Sequence, residues 1–396
     1  MKNMKEGWGV KKLGEVCESD LGKTLNQSKD TGEFYPYLCA VNIQWDRIDF
    51  STLKKTRFEE SELERYYVRK GDLLICEGGD IGRSAIWDKD EPMLYQNALH
   101  RVRFNGEVLP RFCLFYLKHL KDSGVLDSRY GKGVTIKHLV KSSLLSIPIP
   151  IPPLSIQERI VSELDGINSI IEKKREQIKE LDALAQSIFY DMFGDPIQNE
   201  KGWEVKKLQH LFKVTSSKRI LQSEWQSEGI PFYKVSDVVG LIRGYEVKPS
   251  TFILESQFSD LVESSLVPKE NDLLITSRGT LGECYIIKNS DRFYFQDGMI
   301  TWLSQIGEDV LPIFIKAIFS NNNFREYLIS IANSSTIAYL SIKQLALLPI
   351  PLPPLSLQQS FAAKIEAIEK QKGLIKQSIA EVETLLASRM QFYFDA

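Results

Sequence analysis

The stretch from Arg129 to Lys137, RYGKGVTIK, holds the residues best suited to contacting a charged partner. It combines three basic residues with an aromatic ring, a threonine hydroxyl and two glycines. Lysine and arginine bind phosphate oxygens, and hydroxyl groups form hydrogen bonds with phosphates or with the edges of bases. An ordinary solvated loop is the alternative interpretation. The residues of this stretch that we single out are Arg129, Lys132, Thr135 and Lys137.

The same chemistry is available at a few other positions. Lys23 and the Lys218–Arg219 pair lie in early loops of corresponding parts of the sequence, and Arg83 and Arg278 flank glycine turns. For the two arginines, pairing with a nearby carboxylate is the alternative. The segment that corresponds to Arg129–Lys137 in the second half of the chain is uncharged, and hydrogen bonding is expected there from Ser335, Thr336 and Tyr339.

No motif for bond chemistry occurs. The sequence lacks a P-loop, an H-E-x-x-H zinc motif, a G-x-S-x-G nucleophile turn and a Rossmann glycine fingerprint. The five cysteines form no C-x-x-C pair, and the four histidines show no ligand spacing. The glycine-rich stretch 78–82 keeps only two of its glycines in its second copy, which is typical of a tight turn. We therefore predict that the chain is not an enzyme and holds no metal or cofactor.

The bulk composition is that of an ordinary soluble protein, with 43% hydrophobic and 26% charged residues. No run of about 18 apolar residues is present, and the N-terminus lacks a signal-peptide core, so we expect a cytoplasmic protein without membrane contact. The net charge of −2 counts weakly against nucleic-acid binding, because acidic helices can mask a locally basic face.

Several sequence blocks occur twice in the same order. GWGVKKL at 7–13 returns as GWEVKKL at 202–208, and GDLLICEGGDIG at 71–82 returns as NDLLITSRGTLG at 271–282. IPIPIPPLSIQ at 147–157 returns as LPIPLPPLSLQ at 348–358. Such agreement indicates a duplicated unit. Because proline fixes φ and lacks an amide donor, both proline runs are predicted to be extended and outside any central strand.

Each copy opens with short strand-like runs bounded by glycine and continues into a long helix. We therefore predict an α+β (mixed α/β) fold with two duplicated globular domains separated by two long helices. The predicted boundaries are 1–150 for the first domain, 151–198 for the first helix, 199–351 for the second domain and 352–396 for the second helix. Ser155 and Ser356 are the predicted N-caps.

Both long helices carry an apolar seam with heptad spacing, interrupted by Lys174 in the first copy. A seam of this kind needs a partner, so we predict an intramolecular antiparallel coiled coil with pseudo-twofold symmetry. Two independent domains, each folding its own helix back, are the alternative. The aromatic residues at the helix ends are expected to pack on a globular domain or to dock a partner. The predicted seam residues are Leu164, Ile167, Ile171, Ile178, Leu181, Ile188, Ile365, Ile368, Ile375, Ile379, Val382 and Leu386.

G-D-L-L-I before a glycine turn, then V-T-I, then I-P-I-P-I-P-P-L-S-I-Q-E at the start of a long helix, resembles the specificity subunit of type I restriction–modification enzymes. The resemblance covers essentially the whole chain, and its proline–leucine–glutamine block occurs twice. One departure is Gln359 where the first copy has Glu158. The resemblance implies two target recognition domains, each reading one half of a bipartite, gapped DNA site.

The resemblance also implies the partners. They are double-stranded DNA, two modification (methyltransferase) subunits docked on the coiled coil that sets the spacer, and restriction subunits with ATP-dependent translocase and nuclease activity. S-adenosylmethionine, ATP and Mg are expected in those partner subunits and not in this chain. The rival hypothesis is a duplicated scaffold that binds only protein.

Overall fold

Two units share the chain. The first contains Met1–Arg175 with Lys376–Ala396, and the second contains Glu176–Ile375. The structure, a computed structural model, describes residues 8–26, 28, 30–305, 307–332 and 338–395.

The strands of the first unit belong to its globular part, which we call the first head. Their bounds are β1 Gly9–Lys12, β2 Cys17–Leu21, β3 Glu33–Leu38, β4 Ile43–Gln44, β5 Arg47–Ile48, β6 Lys54–Phe58, β7 Tyr67–Val68, β8 Leu73–Cys76, β9 Ser84–Ile86, β10 Met93–Tyr95, β11 Leu99–Phe104 and β12 Pro148–Ile151. The helices that begin in this unit are α1 Glu60–Tyr66, α2 Pro110–Asp122, α3 Lys141–Leu145 and α4 Leu154–Phe193.

The globular part of the second unit, the second head, repeats this plan with fewer strands among the described residues. The strands are β13 Glu204–Lys207, β14 Phe212–Thr215, β15 Ile230–Tyr233, β16 Phe252–Ile253, β17 Leu273–Thr276, β18 Cys284–Ile286, β19 Tyr294–Phe295, β20 Ile300–Gln305 and β21 Pro349–Leu352. The helices are α5 Val235–Ile242, α6 Glu255–Glu263, α7 Pro312–Ser320, α8 Asn322–Ile331, α9 Ile342–Ala346 and α10 Leu355–Phe394.

The two main sheets of one head have counterparts in the other, although the second sheet has one strand more in the first head. A four-stranded sheet has the order β2-β11-β8-β9 in the first head and β14-β20-β17-β18 in the second. A second sheet has the order β6-β3-β10-β7 or β16-β15-β19 and contains one parallel pair in each head. The turn between β8 and β9 requires the shared glycine Gly82, whose φ is +80° and whose added Cβ would lie 2.1 Å from a Leu126 methyl. The predicted duplication and tight turn are confirmed.

The proline runs form edge pairs. β12 pairs antiparallel with β1, and β21 pairs antiparallel with β13. Because each ladder has only two strands, the missing proline amides can face away from the pairing edge. The prediction that both runs are extended and outside central strands is confirmed.

A buried glutamine follows each proline run and closes its connection to the head. The side chain of Gln157 is fully buried; its Oε1 accepts from the backbone N–H of Leu109 (2.9 Å), and its Nε2 donates to the carbonyl oxygens of Glu107 and Pro152 (both 2.9 Å). Gln358 makes the same three bonds in the second head. The repeated glutamine is therefore a structural residue that satisfies three backbone groups.

The long helices begin two residues earlier than N-caps at Ser155 and Ser356 would place them. Leu154 is already helical, and the N–H groups of Ile156 and Gln157 donate to the carbonyl oxygen of Pro153 (2.8 and 3.1 Å). The prediction of Ser155 as N-cap, and of Ser356 in the second copy, is therefore wrong. A proline carbonyl accepts the first helical bonds, and each serine lies within the first turn.

α4 and α10 pack against each other in an antiparallel sense in both units. In the first unit, Leu164 and Ile171 share one apolar cluster with Leu386 and Met390 near the end of α10. In the second unit, Phe361 and Ile365 near the start of α10 share a cluster with Phe193 near the end of α4. The predicted pairing of the two helices is confirmed, and every predicted seam residue is buried or half-buried.

Polar and aromatic residues complete the helix packing. The ammonium of Lys372, at a seam position, donates to Asp182 and Glu369 (2.7 Å each) within the second unit. Burial opposes the charge of Lys372, but these two carboxylates raise its pKa. The ring of Phe394 lies 5.4 Å from that of Phe112, so the end of α10 packs on the first head. This is the first of the two alternatives expected for the aromatic helix ends, packing on a globular domain.

Candidate nucleic-acid interface

The first head presents a turn closed by Lys132 and His138, directly after a short helical segment, Leu126–Tyr130. We call Arg129–His138 the first-head loop. The backbone N–H groups of Lys132 and His138 each donate to the other's carbonyl oxygen (2.8 Å in both directions). Gly133 has φ +103°, and an added Cβ there would lie 2.3 Å from the carbonyl oxygen of Ile136. Only glycine suits this position, so the backbone of the tip is held in one tight turn.

The four predicted contact residues of this segment lie together on the first-head loop. Arg129, Lys132 and Thr135 are exposed, and Lys137 is half-buried. Within the described part of the chain, none of the three cations forms an ion pair, although Arg129 lies over the ring of Tyr130. These three cations, which form no ion pair among the described residues, give the first-head loop a local positive surface on a chain whose net charge is −2.

The loop is attached to the head at its return strand. The backbone N–H of Leu139 donates to the carbonyl oxygen of Glu77 (2.6 Å), and the carbonyl oxygen of Leu139 is 2.7 Å from Nε2 of His100. Nε2 of the fully buried His100 therefore carries the proton and donates, while its Nδ1 has no partner among the described residues. Burial, with a smaller contribution from Lys141, lowers the pKa of His100, although the Leu139 carbonyl opposes this.

Replacing His100 with glutamine, which can donate without titrating, is expected to flatten the pH dependence of stability. Because burial lowers the folded-state pKa, the stabilisation from neutral His100 is complete above the unfolded pKa of about 6.5. It is lost as pH falls below that value, by up to about 1.4 kcal/mol per pH unit. Urea unfolding at pH 7.5 and 5.5 should show a larger loss for the wild type than for His100→Gln. Equal losses would contradict the assignment, and the exposed His210→Gln is the matched control.

Two predicted contact residues have internal partners instead. Lys23 is 5% exposed; its ammonium donates to Glu62 (2.6 Å) and to the carbonyl oxygen of Arg57 (3.0 Å). Arg83 donates to the carbonyl oxygen of Ala40 (2.7 Å), a backbone group and not the carboxylate that was the alternative. Because both side chains are held inside the first head, the interface that we propose leaves them out.

In the second head, Arg278 borders an open groove of about 670 Å³. Arg278 is exposed and forms no ion pair within the described residues, and its backbone forms a β-bridge with Tyr339. The structure thus brings Arg278 and Tyr339 together. Sequence reasoning missed two further lining residues, Arg243 and Tyr245, because no repeated motif marks them. The one sequence signal for them was their place directly after a short apolar segment, which forms α5.

The remaining predicted contact residues of the second head differ in whether they form an ion pair. Lys218 is exposed, whereas Arg219 is exposed but paired with Asp297 (2.8 Å). Ser335 and Thr336 lie outside the described residues. Of the predicted contacts, the second head therefore offers the exposed Lys218 and a groove bordered by Arg278, in contrast to the cationic loop of the first head.

Several titratable groups of the two heads are buried or have partners within the same head. Burial raises the pKa of the Cys76 thiol to about 11 and that of Cys284 to about 12, which leaves neither as an activated nucleophile. The repeated acid Asp72 pairs with Arg103, and its counterpart Asp272 accepts from the indole N–H of Trp302 (2.8 Å). No cluster of three metal-ligating side chains occurs among the described residues. In the same residues, no helix has the length and apolarity to cross a membrane.

The comparisons with known proteins agree with this arrangement. A family model described as the type I restriction modification DNA specificity domain matches residues 5–181 and again residues 200–384. The chain is 28% identical over 336 residues to the putative type I restriction enzyme specificity subunit S.HindORF215P of Haemophilus influenzae, covering 83% of this chain and 82% of that one. It is 24% identical over 413 residues to the putative type I restriction enzyme MjaX specificity subunit of Methanocaldococcus jannaschii, covering 96% and 93%.

Solved structures share the fold. A chain from a type I R-M system studied for complex assembly and conformational transition matches with a TM-score of 0.62 at 17% identity, covering 100% of this chain and 99% of that one. The S subunit of a type I restriction-modification system from M. genitalium matches with a TM-score of 0.52 at 15% identity, covering 100% and 98%.

Proposed function

Since the chain belongs to the type I restriction–modification DNA specificity family, we propose that its two heads read the two halves of a bipartite, gapped DNA target. The chain is a specificity subunit with two target recognition domains. The proposed mode of reading is supported above all by the first-head loop, where three cations that form no ion pair among the described residues accompany an exposed tip. Cations of this kind bind phosphates and set the register of a protein on the duplex.

The second head reads its half-site by a different surface. Arg278, Arg243 and Tyr245 border its groove, and Lys218 is exposed beside a buried sheet. Arginine forms bidentate hydrogen bonds with guanine in the major groove, whereas a tyrosine ring or hydroxyl suits a sugar or base edge. Because the two heads share their sheets but differ in these side chains, we expect the two half-sites to differ in sequence.

The paired helices serve the complex in which specificity subunits work. We propose that they set the number of unread base pairs and dock two modification subunits, with restriction subunits joining that core. Support comes from large apolar side chains that are exposed on both helices, Ile170 and Leu184 on α4 and Leu374 and Leu385 on α10. S-adenosylmethionine, ATP and Mg belong in this proposal to the partner subunits, and the chain itself performs no bond chemistry.

Selection from random double-stranded DNA tests this function. The complex with two modification subunits is expected to enrich one gapped motif with two unlike halves, and its affinity should fall steeply as salt rises. A scaffold that binds only protein would enrich no motif and would show no steep salt dependence. Methyl transfer or cleavage by the isolated chain would overturn the assignment of a non-catalytic subunit.

A further inference from the structure

Two apolar side chains occupy the tip of the first-head loop. Val134 is 98% exposed and Ile136 is 62% exposed. Single exposed apolar residues are common on protein surfaces, so exposure alone indicates no function. What distinguishes this pair is its position in the loop, between Lys132 and Lys137 and shortly after Arg129.

The hairpin holds these side chains away from the core. Gly133 and the reciprocal bonds between Lys132 and His138 fix the turn, and the Leu139 backbone fixes its return strand on the head. In this arrangement Val134 lies outside the apolar cluster that contains Tyr130 and Leu139. The first head thus presents a preformed apolar contact, which lowers the entropic cost of using it in binding.

The charge around the tip indicates which kind of partner can bind it. Arg129, Lys132 and Lys137 lie within a few residues of the tip and form no ion pair among the described residues. The surface that meets this tip must combine dense negative charge with a small apolar group. Duplex DNA offers this combination in its major groove, where the 5-methyl group of thymine lies between two phosphate backbones.

We propose that Val134, flanked by Ile136, reads thymine in the first half-site by packing against its 5-methyl group. The inference rests on the proposed function, because it assigns a base contact to a loop already proposed to meet DNA.

Deoxyuridine substitution tests the contact, since uracil keeps the hydrogen-bonding pattern of thymine and lacks only the methyl group. Each thymine of the first half-site is replaced in turn, and affinity is measured for the complex with its modification subunits. At one position the wild type should lose about three- to fivefold, as expected for one buried methyl group. Val134→Ala should lose a similar factor on thymine DNA and nothing further on deoxyuridine DNA.

The matched control is Val41→Ala, at another exposed valine of the first head, which should bind both DNAs like the wild type. The inference is overturned if the first half-site has no A·T pair, if no deoxyuridine weakens binding, or if Val134→Ala loses the same factor on both DNAs. The last result would indicate an apolar wedge between base pairs or a protein contact. In each case specific binding to the gapped target persists, whereas its absence in the wild type would contradict the proposed function itself.

Discussion

Gln157→Leu is expected to lower the free energy of unfolding of the first head by about 3 kcal/mol or more. Leucine has a similar size but neither accepts nor donates, so the N–H of Leu109 and the carbonyl oxygens of Glu107 and Pro152 lose their buried partner. Each buried backbone group without a partner costs about 1–3 kcal/mol. Urea unfolding and amide hydrogen exchange should show the loss in the first head.

The neighbouring residues of each copy supply the controls for this change. Glu158→Leu alters the adjacent exposed residue and should leave the unfolding of the first head unchanged. Gln358→Leu should move the destabilisation to the second head, where the same three bonds are lost. If Gln157→Leu unfolded like the wild type, the repeated glutamine would have no structural role and its recurrence would need another explanation.

Removing the three cations of the first-head loop should produce the largest effect on DNA binding. The triple variant Arg129→Ala, Lys132→Ala, Lys137→Ala is expected to bind the gapped target at least about 100-fold more weakly, since each charge-assisted bond contributes on the order of 1–2 kcal/mol. Each phosphate contact contributes about −0.9 to the slope of log affinity against log salt, so the slope should become shallower by up to about three. Fluorescence anisotropy over a salt series measures both quantities.

Other lysines of the same head separate a local effect from a general loss of charge. Lys54 and Lys55 are exposed on β6, and their double alanine variant should keep the wild-type slope. Lys23→Ala should instead reduce stability, because it removes the partner of Glu62 inside the head. An unchanged slope in the triple variant would show that the first-head loop does not meet DNA.

Local periodicity made some features predictable from the sequence. Leu164, Ile167 and Ile171 are buried because heptad spacing places them on one helix face regardless of the rest of the chain. The extended proline runs follow with the same certainty from the fixed φ of proline. Both features depend only on residues that are close together in the sequence.

Features that depend on distant residues were not predictable. Lys23 and Lys132 look alike as loop lysines after glycine, but Glu62, far along the chain, binds the first, and no ion pair forms at the second among the described residues. Two of the three partners of Gln157, Leu109 and Glu107, lie about fifty residues earlier in the sequence, so the only sign of its burial was the repeated glutamine. The same reason explains why the groove residues Arg243 and Tyr245 were missed.

Each head is proposed to read its own half of the target. Exchange of one head is the most direct test of this proposal. Residues 1–146 are replaced by the corresponding head of a related specificity subunit, and DNA exposed to the complex with modification subunits is sequenced for modified bases. We expect a gapped methylated motif in which only one half changes, while the other half is the same as in the wild type. A change in both halves, or in neither, would contradict it.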